Sequence, residues 1–170
     1  MINMFTDEYF MREAIKEACK AFEKDEVPIG AVIVAGNRII ARAHNLTETL
    51  TDVTAHAEMQ AITAAASFLG GKYLKECTLY VTLEPCPMCA GALYWSQIMR
   101  IVYGARDTKR GFTLFHSQLL HPTTVLVNGM LETECAVLLT DFFKKKRKWP
   151  LLGIIKCLLF VFSENEQVWQ

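Results

Sequence analysis

The spacing of apolar residues at the start of the chain predicts a helix followed by a β-hairpin. Four apolar residues recur at helical spacing, namely Phe10, Ala14, Ala18 and Phe22. Thr6 or Asp7 is suited to cap this helix. Residues 29–34 and 38–43 are apolar and rich in β-branched side chains, with a Gly-Asn turn pair between them. This pattern predicts two strands that are joined as a hairpin.

The middle of the chain has the pattern of a strand–helix–strand unit. An alanine-rich helix is predicted over residues 56–69, with glycines after it that suit a helix C-terminus. A strand is predicted over residues 78–83, a helix over 85–98 and a strand over 100–104. Two strands joined through a helix run parallel, with a right-handed crossover. These elements predict an α/β domain in which helices cover one mixed or mainly parallel sheet.

The last third of the chain predicts a loop, a short strand and a closing helix. The loop spans residues 106–122 and is rich in basic and aromatic side chains. The strand is predicted over residues 124–127 and the helix over 132–148, where it ends in a basic run. We therefore expect residues 1–148 to form one domain.

Residues 149–170 form a C-terminal extension whose role the sequence does not assign. Residues 151–162 are strongly apolar, but Gly153 and Lys156 interrupt the run. Crossing a bilayer takes about 20 apolar residues, so we expect no stable membrane insertion. The pattern favours a segment that packs on the domain or on a partner chain, with a membrane-surface helix as the alternative.

Composition and charge are those of an ordinary folded domain. The chain has 170 residues, of which 52% are hydrophobic and 21% charged. The 18 basic and 18 acidic residues give a net charge of zero, which neither favours nor excludes a polyanionic partner. The first ten residues lack the basic and apolar regions of a secretory signal, so we expect a cytoplasmic protein. Its six cysteines are then reduced, and a close pair of them is more often metal-binding or catalytic than bridged.

Two short motifs predict a metal centre. His56 begins one predicted helix, and Cys86 and Cys89 lie three residues apart at the start of another. A catalytic zinc ion uses three such ligands and keeps its fourth position for water. Glu58 follows His56 by two residues and is placed to move protons at that water without competing for the metal. We therefore predict one zinc ion per chain, bound by His56, Cys86 and Cys89, with Glu58 as the catalytic acid and base.

A structural zinc ion is the alternative, and it requires a fourth ligand. Cys19, Cys77, Cys135 and Cys157 are the remaining cysteines. Cys19 and Cys135 fall on apolar helix faces and Cys77 just before a strand, where a buried cysteine is the commoner outcome.

Several stretches of the chain carry a family resemblance. They are EVPIGAV at residues 26–32, AHAEMQAI at 55–62, LYVTLEPCPMCAGAL at 79–93, GARD at 104–107 and DFF at 141–143. The combination of H-x-E with P-C-x-x-C is typical of zinc nucleobase deaminases. From about Asp7 to Lys148 the chain resembles the bacterial tRNA-specific adenosine deaminases of the cytidine deaminase-like superfamily.

The resemblance implies a fold, a reaction and an assembly. The fold would be a three-layer α/β/α domain with a central mixed five-stranded sheet. The reaction would be hydrolytic conversion of adenosine to inosine at the wobble position, A34, of a tRNA anticodon stem-loop. The enzyme would bind one zinc ion per chain and form a homodimer with the active site near the subunit interface.

The resemblance also implies residues that contact the substrate. Asn45 would hydrogen-bond the flipped base, Pro28 and Ile29 would line its pocket, and Asp107 would meet the neighbouring nucleotide. The backbone around Ala55 and the region of Glu84 would also face the substrate. Local roles stay open for three of these residues: a turn for Asn45, a helix end for Pro28 and a helix cap for Asp107.

Basic residues in two places are candidates for RNA contacts. They are Lys109 and Arg110 in the loop, and Lys144, Lys145, Lys146, Arg147 and Lys148 at the end of the last helix. Such clusters bind phosphates, although basic residues at a helix C-terminus also stabilise the helix dipole.

Two departures from the family and two rival functions leave the substrate open. The loop over residues 111–117 lacks the Gly-Ser pattern of many members, and the segment beyond Pro150 is extra. One rival is a zinc deaminase of a free base or nucleoside, guanine or cytosine/cytidine, and Tyr94-Trp95 faintly resembles the guanine branch. The other rival is an RNA-binding subunit that has lost catalysis, which the intact Glu58 disfavours.

Overall fold

The computed structural model describes residues 5–115 and 119–163, with side chains up to Arg147. The elements in chain order are α1 (Asp7–Glu23), β1 (Gly30–Ala35), β2 (Arg38–His44), α2 (Ala57–Leu69), β3 (Cys77–Leu83), α3 (Pro87–Ser96), β4 (Arg100–Ala105), a short 3₁₀ helix (Phe112–Leu114), β5 (Val125–Val127) and α4 (Glu132–Ser163).

The five strands form one mixed sheet in the order β2-β1-β3-β4-β5. Strand β1 pairs antiparallel with both β2 and β3. Strands β3, β4 and β5 run parallel to one another. The predicted hairpin and the predicted parallel strand–helix–strand unit are therefore both confirmed, and so is the mixed five-stranded sheet.

Both faces of the sheet are covered by helices, which gives the predicted three layers. Alternate residues of a strand point to opposite faces. On β1, Val32 and Val34 accordingly join a core with Phe10 and Met11 of α1. The intervening Ala31 and Ile33 join a second core, to which α2 contributes Ala57, Ala61 and Ala65, and α3 contributes Ala90 and Leu93. All of these side chains are buried.

Helix α1 is fastened to the sheet by polar contacts at its first residues. Thr6, rather than Asp7, is the N-cap: its side chain accepts a hydrogen bond from the backbone N–H of Tyr9 at 3.2 Å. The Asp7 carboxylate instead makes two hydrogen bonds of 2.6 Å with the guanidinium of Arg100 on β4. It also accepts a hydrogen bond of 2.7 Å from the hydroxyl of Tyr80 on β3. The first turn of α1 is thereby linked to two central strands.

The starts of α2 and α3 bring the metal motif to one end of the sheet. Helix α3 follows the C-terminal end of β3 after three residues, and α2 follows the loop that leaves the end of β2. His56 is the N-cap of α2 and Cys86 is the N-cap of α3, both with extended backbone angles. The sequence predicted the helix from Pro85, but the helix begins at Pro87, which suits the first helical position because proline lacks an N–H.

The last helix continues beyond its predicted end. We expected it to end at Lys148, before Pro150, but α4 extends to Ser163. A proline removes one helical hydrogen bond, and the leucine- and lysine-rich sequence around it has high helix propensity. The chain divides into two compact units, residues 1–139 and 140–170. Within the described residues, no helix is long and apolar enough to cross a membrane.

Candidate metal centre and active site

Three potential metal ligands converge where α2 and α3 begin. One ligand atom each from His56, Cys86 and Cys89 lies within 4.8 Å of the others. The imidazole Nδ1 of His56 is 3.4 Å from the Cys89 sulfur and 3.7 Å from the Cys86 sulfur. Cys86 and Cys89 occupy the N-cap and the first turn of α3, where the helix dipole and free N–H groups favour thiolates. Two helix N-termini therefore present one nitrogen and two sulfur atoms to a common point.

The donor set fits a catalytic zinc ion. Zinc prefers imidazole nitrogen and thiolate sulfur in a tetrahedron, and a catalytic site supplies three protein ligands. Among the described residues, the group contains only His56, Cys86 and Cys89. Cys19, Cys77 and Cys135 are not part of it, and the side chain of Cys157 lies outside the described residues. The geometry therefore provides three ligands and leaves the fourth tetrahedral position open to a small molecule.

The acid–base state of the three ligands suits a cation. The hydrogen bond from Cys89, together with that from His56, lowers the pKa of Cys86 to about 4. The same contact raises the pKa of Cys89, because its proton is held by the Cys86 sulfur. The contact with Cys86 also raises the pKa of His56. Negative charge thus accumulates at Cys86, where a metal ion would neutralise it.

Glu58 places an unpaired carboxylate oxygen at this centre. It lies in the first turn of α2, two residues beyond His56, and is 3% exposed. Burial raises its pKa to about 7. Its Oε2 atom is the single buried side-chain oxygen or nitrogen that lacks a hydrogen-bond partner within the described part of the chain. Leaving such an atom unpaired is costly, so it points to a polar ligand that occupies the centre.

The side chain of Asn45 is buried and hydrogen-bonded within the chain. It is 3% exposed, and its side-chain Nδ2 donates to Glu26 at 3.1 Å and to Thr47 at 3.0 Å. Its backbone N–H donates to the carbonyl of Ile29 at 3.0 Å. The next residue, Leu46, donates to the carbonyl of Ala55, which precedes His56. The side chain of Asn45 is therefore held by Glu26 and Thr47, and its backbone is joined to Ile29. The following residue, Leu46, links the loop to Ala55.

Pro28, Ile29 and Ala55, the other residues expected to form the pocket, are buried or partly buried. Pro28 is buried, and Ile29 is partly buried against the core that α2 and α3 share. Ala55 is 5% exposed, and its carbonyl also accepts a hydrogen bond of 3.1 Å from the side chain of Gln60. Gln60 also donates to the carbonyl of His44 at 2.8 Å, so it joins the end of β2 to the start of α2.

The Glu84 carboxylate is occupied by hydrogen bonds within the chain. The residue is 2% exposed. Its Oε2 accepts from the backbone N–H of Asp107 at 3.1 Å. Its Oε1 accepts from the backbone N–H of Thr113 at 3.0 Å and from its hydroxyl at 2.6 Å. A Cβ atom on Gly111 would lie 2.3 Å from the carboxyl carbon of Glu84, so only glycine fits there. Glu84 braces the loop between β4 and the 3₁₀ helix.

This braced loop carries Asp107 and two of the basic residues. Asp107 Oδ1 accepts from the backbone N–H groups of Lys109 and Arg110 at 2.9 and 3.0 Å, so it caps a turn rather than a helix. The side chains of Lys109 and Arg110 are exposed.

The basic run on α4 is also exposed as far as it is described. Lys144, Lys145, Lys146 and Arg147 are exposed, and Lys144 is 3.7 Å from Asp141 of the same helix. The side chain of Lys148 lies outside the described residues.

No sequence pattern pointed to the contacts that Glu26, Thr47 and Gln60 make around Asn45 and Ala55. Their contacts join residues up to 23 positions apart along the chain. The one signal was Glu26 itself, a carboxylate immediately before an apolar strand, where an unpaired charge would be costly.

Comparisons with known proteins give the family. The family model described as the cytidine and deoxycytidylate deaminase zinc-binding region matches residues 4–105. The tRNA-specific adenosine deaminase of Bacillus subtilis (strain 168) is 51% identical over 150 residues, covering 85% of this chain and 93% of the relative.

Solved structures agree with this assignment. One comes from a study of A-to-I editing by tRNA:A34 deaminases at the wobble position of transfer RNA. It is 45% identical with a TM-score of 0.72, covering 76% of this chain and 98% of that chain. A guanine deaminase from Bacillus subtilis is 42% identical with a TM-score of 0.58, covering 61% of this chain and 66% of that chain. The similarity to these relatives, together with the three converging metal ligands, shows that the chain belongs to the tRNA-specific adenosine deaminase family of zinc-dependent deaminases.

Proposed function

We infer that this protein converts adenosine to inosine by hydrolysis at the wobble position, A34, of a tRNA anticodon. The observation that carries the chemistry is the unpaired Oε2 of Glu58 beside a three-ligand metal group. In zinc deaminases, a glutamate that does not bind the metal serves as the general acid and base, with water as the nucleophile and the amino group as the leaving group. The near full-length similarity to a tRNA-specific adenosine deaminase supports the choice of substrate.

The roles of the residues follow from their positions. His56, Cys86 and Cys89 hold the zinc ion, which when bound acts as a Lewis acid and lowers the pKa of water enough for attack at neutral pH. Glu58 accepts a proton from the attacking water and delivers it to the amino group at C6 of adenine. The C6–N bond breaks, the nitrogen leaves as ammonia, and C6 keeps the oxygen.

The base must leave its stack to reach Glu58. Enzymes that modify a base extrude it into a pocket and read its edge there. Asn45 is the side chain that contacts the extruded base, with Pro28 and Ile29 as walls and the backbone of Ala55 beside it. Asp107 keeps one carboxylate oxygen for the neighbouring nucleotide, since its other oxygen caps the loop. Lys109 and Arg110 lie next to Asp107 and contact phosphates, and the run from Lys144 to Lys148 does the same on α4.

A guanine deaminase is the rival with an observation in its favour. A solved guanine deaminase is 42% identical to this chain, but it is matched over only 66% of its length. The tRNA deaminase of Bacillus subtilis is matched over 93% of its length at higher identity. The shared zinc and glutamate cannot separate the two functions, so the longer match favours tRNA.

We also propose a cytoplasmic homodimer. A tRNA substrate and thiolate ligands both suit a reducing compartment. The dimer rests on the family resemblance, and analytical ultracentrifugation at micromolar concentration would test it: a single species of monomer mass would refute it.

A substrate panel tests the proposed function. The zinc-loaded protein is incubated with an anticodon stem-loop that carries adenosine at position 34, and separately with guanine, cytidine and free adenosine. We expect inosine in the RNA and no change in the free compounds, by mass spectrometry. Turnover of guanine or cytidine with unchanged RNA would instead establish the small-molecule function. Zinc binding without any turnover would favour the non-catalytic subunit.

A further inference from the structure

A fully buried carboxylate lies behind the loop that carries Asn45. Glu26 is 0% exposed and precedes β1 by four residues. Its Oε1 accepts from the backbone N–H of Thr49 at 2.7 Å. Its Oε2 accepts from the backbone N–H of Glu48 at 3.2 Å, from the Thr47 hydroxyl at 3.3 Å and from Asn45 Nδ2 at 3.1 Å. Every donor belongs to residues 45–49, so one carboxylate organises this whole loop.

The surroundings keep Glu26 ionised at neutral pH. Burial by itself raises the pKa of a carboxyl group. For Glu26 the hydrogen bonds from Thr49, Glu48 and Thr47 more than offset burial, so its pKa lies below the ordinary value. An ionised carboxylate accepts hydrogen bonds and donates none. Any amide beside it must therefore present its NH₂ end.

This requirement fixes the orientation of the Asn45 amide. The oxygen and nitrogen ends of an asparagine side chain have nearly the same shape, so only hydrogen bonds distinguish them. Thr47 donates its hydroxyl proton to Glu26, and its oxygen is then free to accept the second N–H of Asn45. Both N–H groups of Asn45 are thus directed to Glu26 and Thr47. The amide oxygen is directed away from the buried carboxylate.

The same loop is connected to the metal site by backbone hydrogen bonds. Asn45 donates to Ile29 at 3.0 Å, and Leu46 donates to Ala55 at 3.1 Å, one residue before His56. Both of these contacts use backbone atoms, so neither involves the Asn45 side chain.

We propose that Glu26 is a positioning residue: it holds the amide of Asn45 in one of its two orientations, so that the amide oxygen faces the base. The proposal rests on the proposed function, in which Asn45 contacts the base. In the described part of the chain, the hydrogen bonds to the Glu26 carboxylate come from residues 45–49 and none comes from a metal ligand.

The test is a double-mutant cycle between Glu26→Gln and Asn45→Ala. A glutamine at position 26 has nearly the same shape, but its NH₂ group replaces one of the two accepting oxygens. The Asn45 amide then loses the requirement to present its NH₂ end and can rotate by 180°. We expect Glu26→Gln to lower kcat/KM for the A34 stem-loop about 10- to 100-fold with the zinc content unchanged. In the Asn45→Ala background the same substitution should change kcat/KM less than about 2-fold.

A loop-bracing role without positioning would give a different result. Glu26 would then lower kcat/KM equally in both backgrounds, because its bonds to Thr49 and Glu48 do not involve the Asn45 side chain. That outcome, or full activity of Glu26→Gln, would overturn the proposal. Glu13→Gln is the matched control: it alters another buried carboxylate, 8% exposed, whose partners are Lys16 and Arg42. We expect kcat/KM of this control to stay within 2-fold of the wild type.

A second readout separates this proposal from the proposed function. The Asn45 side-chain amide protons, assigned by NMR with Asn45→Asp, should exchange slowly with solvent in the wild type and rapidly in Glu26→Gln, whatever the substrate. Rapid exchange in the wild type would overturn the proposal even if RNA is deaminated.

If Glu26→Gln does not fold, Thr47→Val replaces it, because this variant keeps the carboxylate. It should show the same coupling to Asn45 with a smaller loss, and additive effects would overturn the proposal.

Discussion

Glu58 and Glu26 are both buried carboxyl groups, and their surroundings give them different tasks. The Oε2 atom of Glu58 has no partner within the described residues, whereas Glu26 accepts four hydrogen bonds from one loop. A group that moves protons must be free to exchange partners, and a group that fixes geometry must not be. The same residue type therefore acts as a chemical group in one place and as a positioning residue in the other.

Removal of one thiolate should abolish zinc binding. We predict that Cys86→Ala lowers the zinc content from one ion per chain to well below half, because two ligands hold the metal much more weakly than three. Cys77→Ala is the matched control: Cys77 is 1% exposed and lies outside the ligand group, so it should keep its zinc. The measurement is the metal-to-protein ratio after gel filtration. Equal zinc content in the two variants would contradict the ligand assignment.

The ligands and Glu58 could be predicted from the sequence, and Glu26 could not. Cys86 and Cys89 are three residues apart, so local helix geometry brings them together. His56 and Glu58 lie at the start of one helix, as N-cap and first-turn residue. The partners of Glu26 lie 19 to 23 residues away along the chain. Such a contact depends on how β1 and the loop after β2 pack, which no local pattern encodes. The bracing contacts of Glu84 were not predictable for the same reason, since Asp107 and Thr113 lie 23 and 29 residues away from it.

At the scale of elements, α1 depends on its first turn for its link to the sheet. Asp7 joins Arg100 of β4 and Tyr80 of β3. The bonds from Arg100 lower the pKa of Asp7. A carboxylate with a lowered pKa in the folded state stabilises the protein above its unfolded pKa of about 3.9. This stabilisation is lost as the pH falls through the folded pKa.

We therefore predict a pH-dependent loss of stability for Asp7→Asn. The variant should lose about 1–2 kcal/mol of unfolding free energy at pH 7, since both side chains of the pair are less than one-third exposed. The loss should be the same at pH 5 and should shrink below about pH 4. Urea unfolding at each pH measures it. Asp141→Asn, in an exposed pair with Lys144, is the control and should change stability far less. A loss that persists undiminished at pH 3 would contradict the assignment to the ionised carboxylate.

The presence of each α-helix and strand could be predicted from the periodicity of apolar residues. The residues at which helices begin and end were harder to predict, except where a glycine marks the end. Gly70 ends α2 in the left-handed conformation, as its position after an alanine-rich run predicts. Pro85, which was used as a helix start, gave a wrong limit, because α3 begins at Pro87. The last helix, predicted to end at Lys148, continues through Pro150 to Ser163. A proline marks the loss of one backbone donor, and the neighbouring sequence decides whether the helix continues.

At the scale of the whole molecule, a net charge of zero coexists with local basic clusters. Binding of a polyanion depends on the charge that faces it, not on the sum. Lys109 and Arg110 are exposed on the loop that Glu84 and Gly111 shape, beside Asp107. This placement makes them the best-described candidates for phosphate contacts near the site.

The salt dependence of RNA binding tests this role. We predict that Lys109→Ala and Arg110→Ala each weaken binding of the anticodon stem-loop and reduce the slope of log K against log salt by about 0.7. Lys72→Ala is the matched control, because Lys72 is exposed but precedes β3, whereas Cys86 follows the other end of that strand. Fluorescence anisotropy at several salt concentrations gives the slopes. Identical slopes for all three variants would remove Lys109 and Arg110 from the interface.

The most direct test of the proposed reaction compares the zinc-loaded wild type with Glu58→Gln on one RNA. The substrate is an anticodon stem-loop with adenosine at position 34 and at a second unpaired position, and the product is mapped by mass spectrometry. We predict inosine at position 34 alone with the wild type, and a rate at least about 100-fold lower with Glu58→Gln at equal zinc content. Inosine formation at an undiminished rate with Glu58→Gln, or none with the zinc-loaded wild type, would contradict the assignment of this site as a wobble adenosine deaminase.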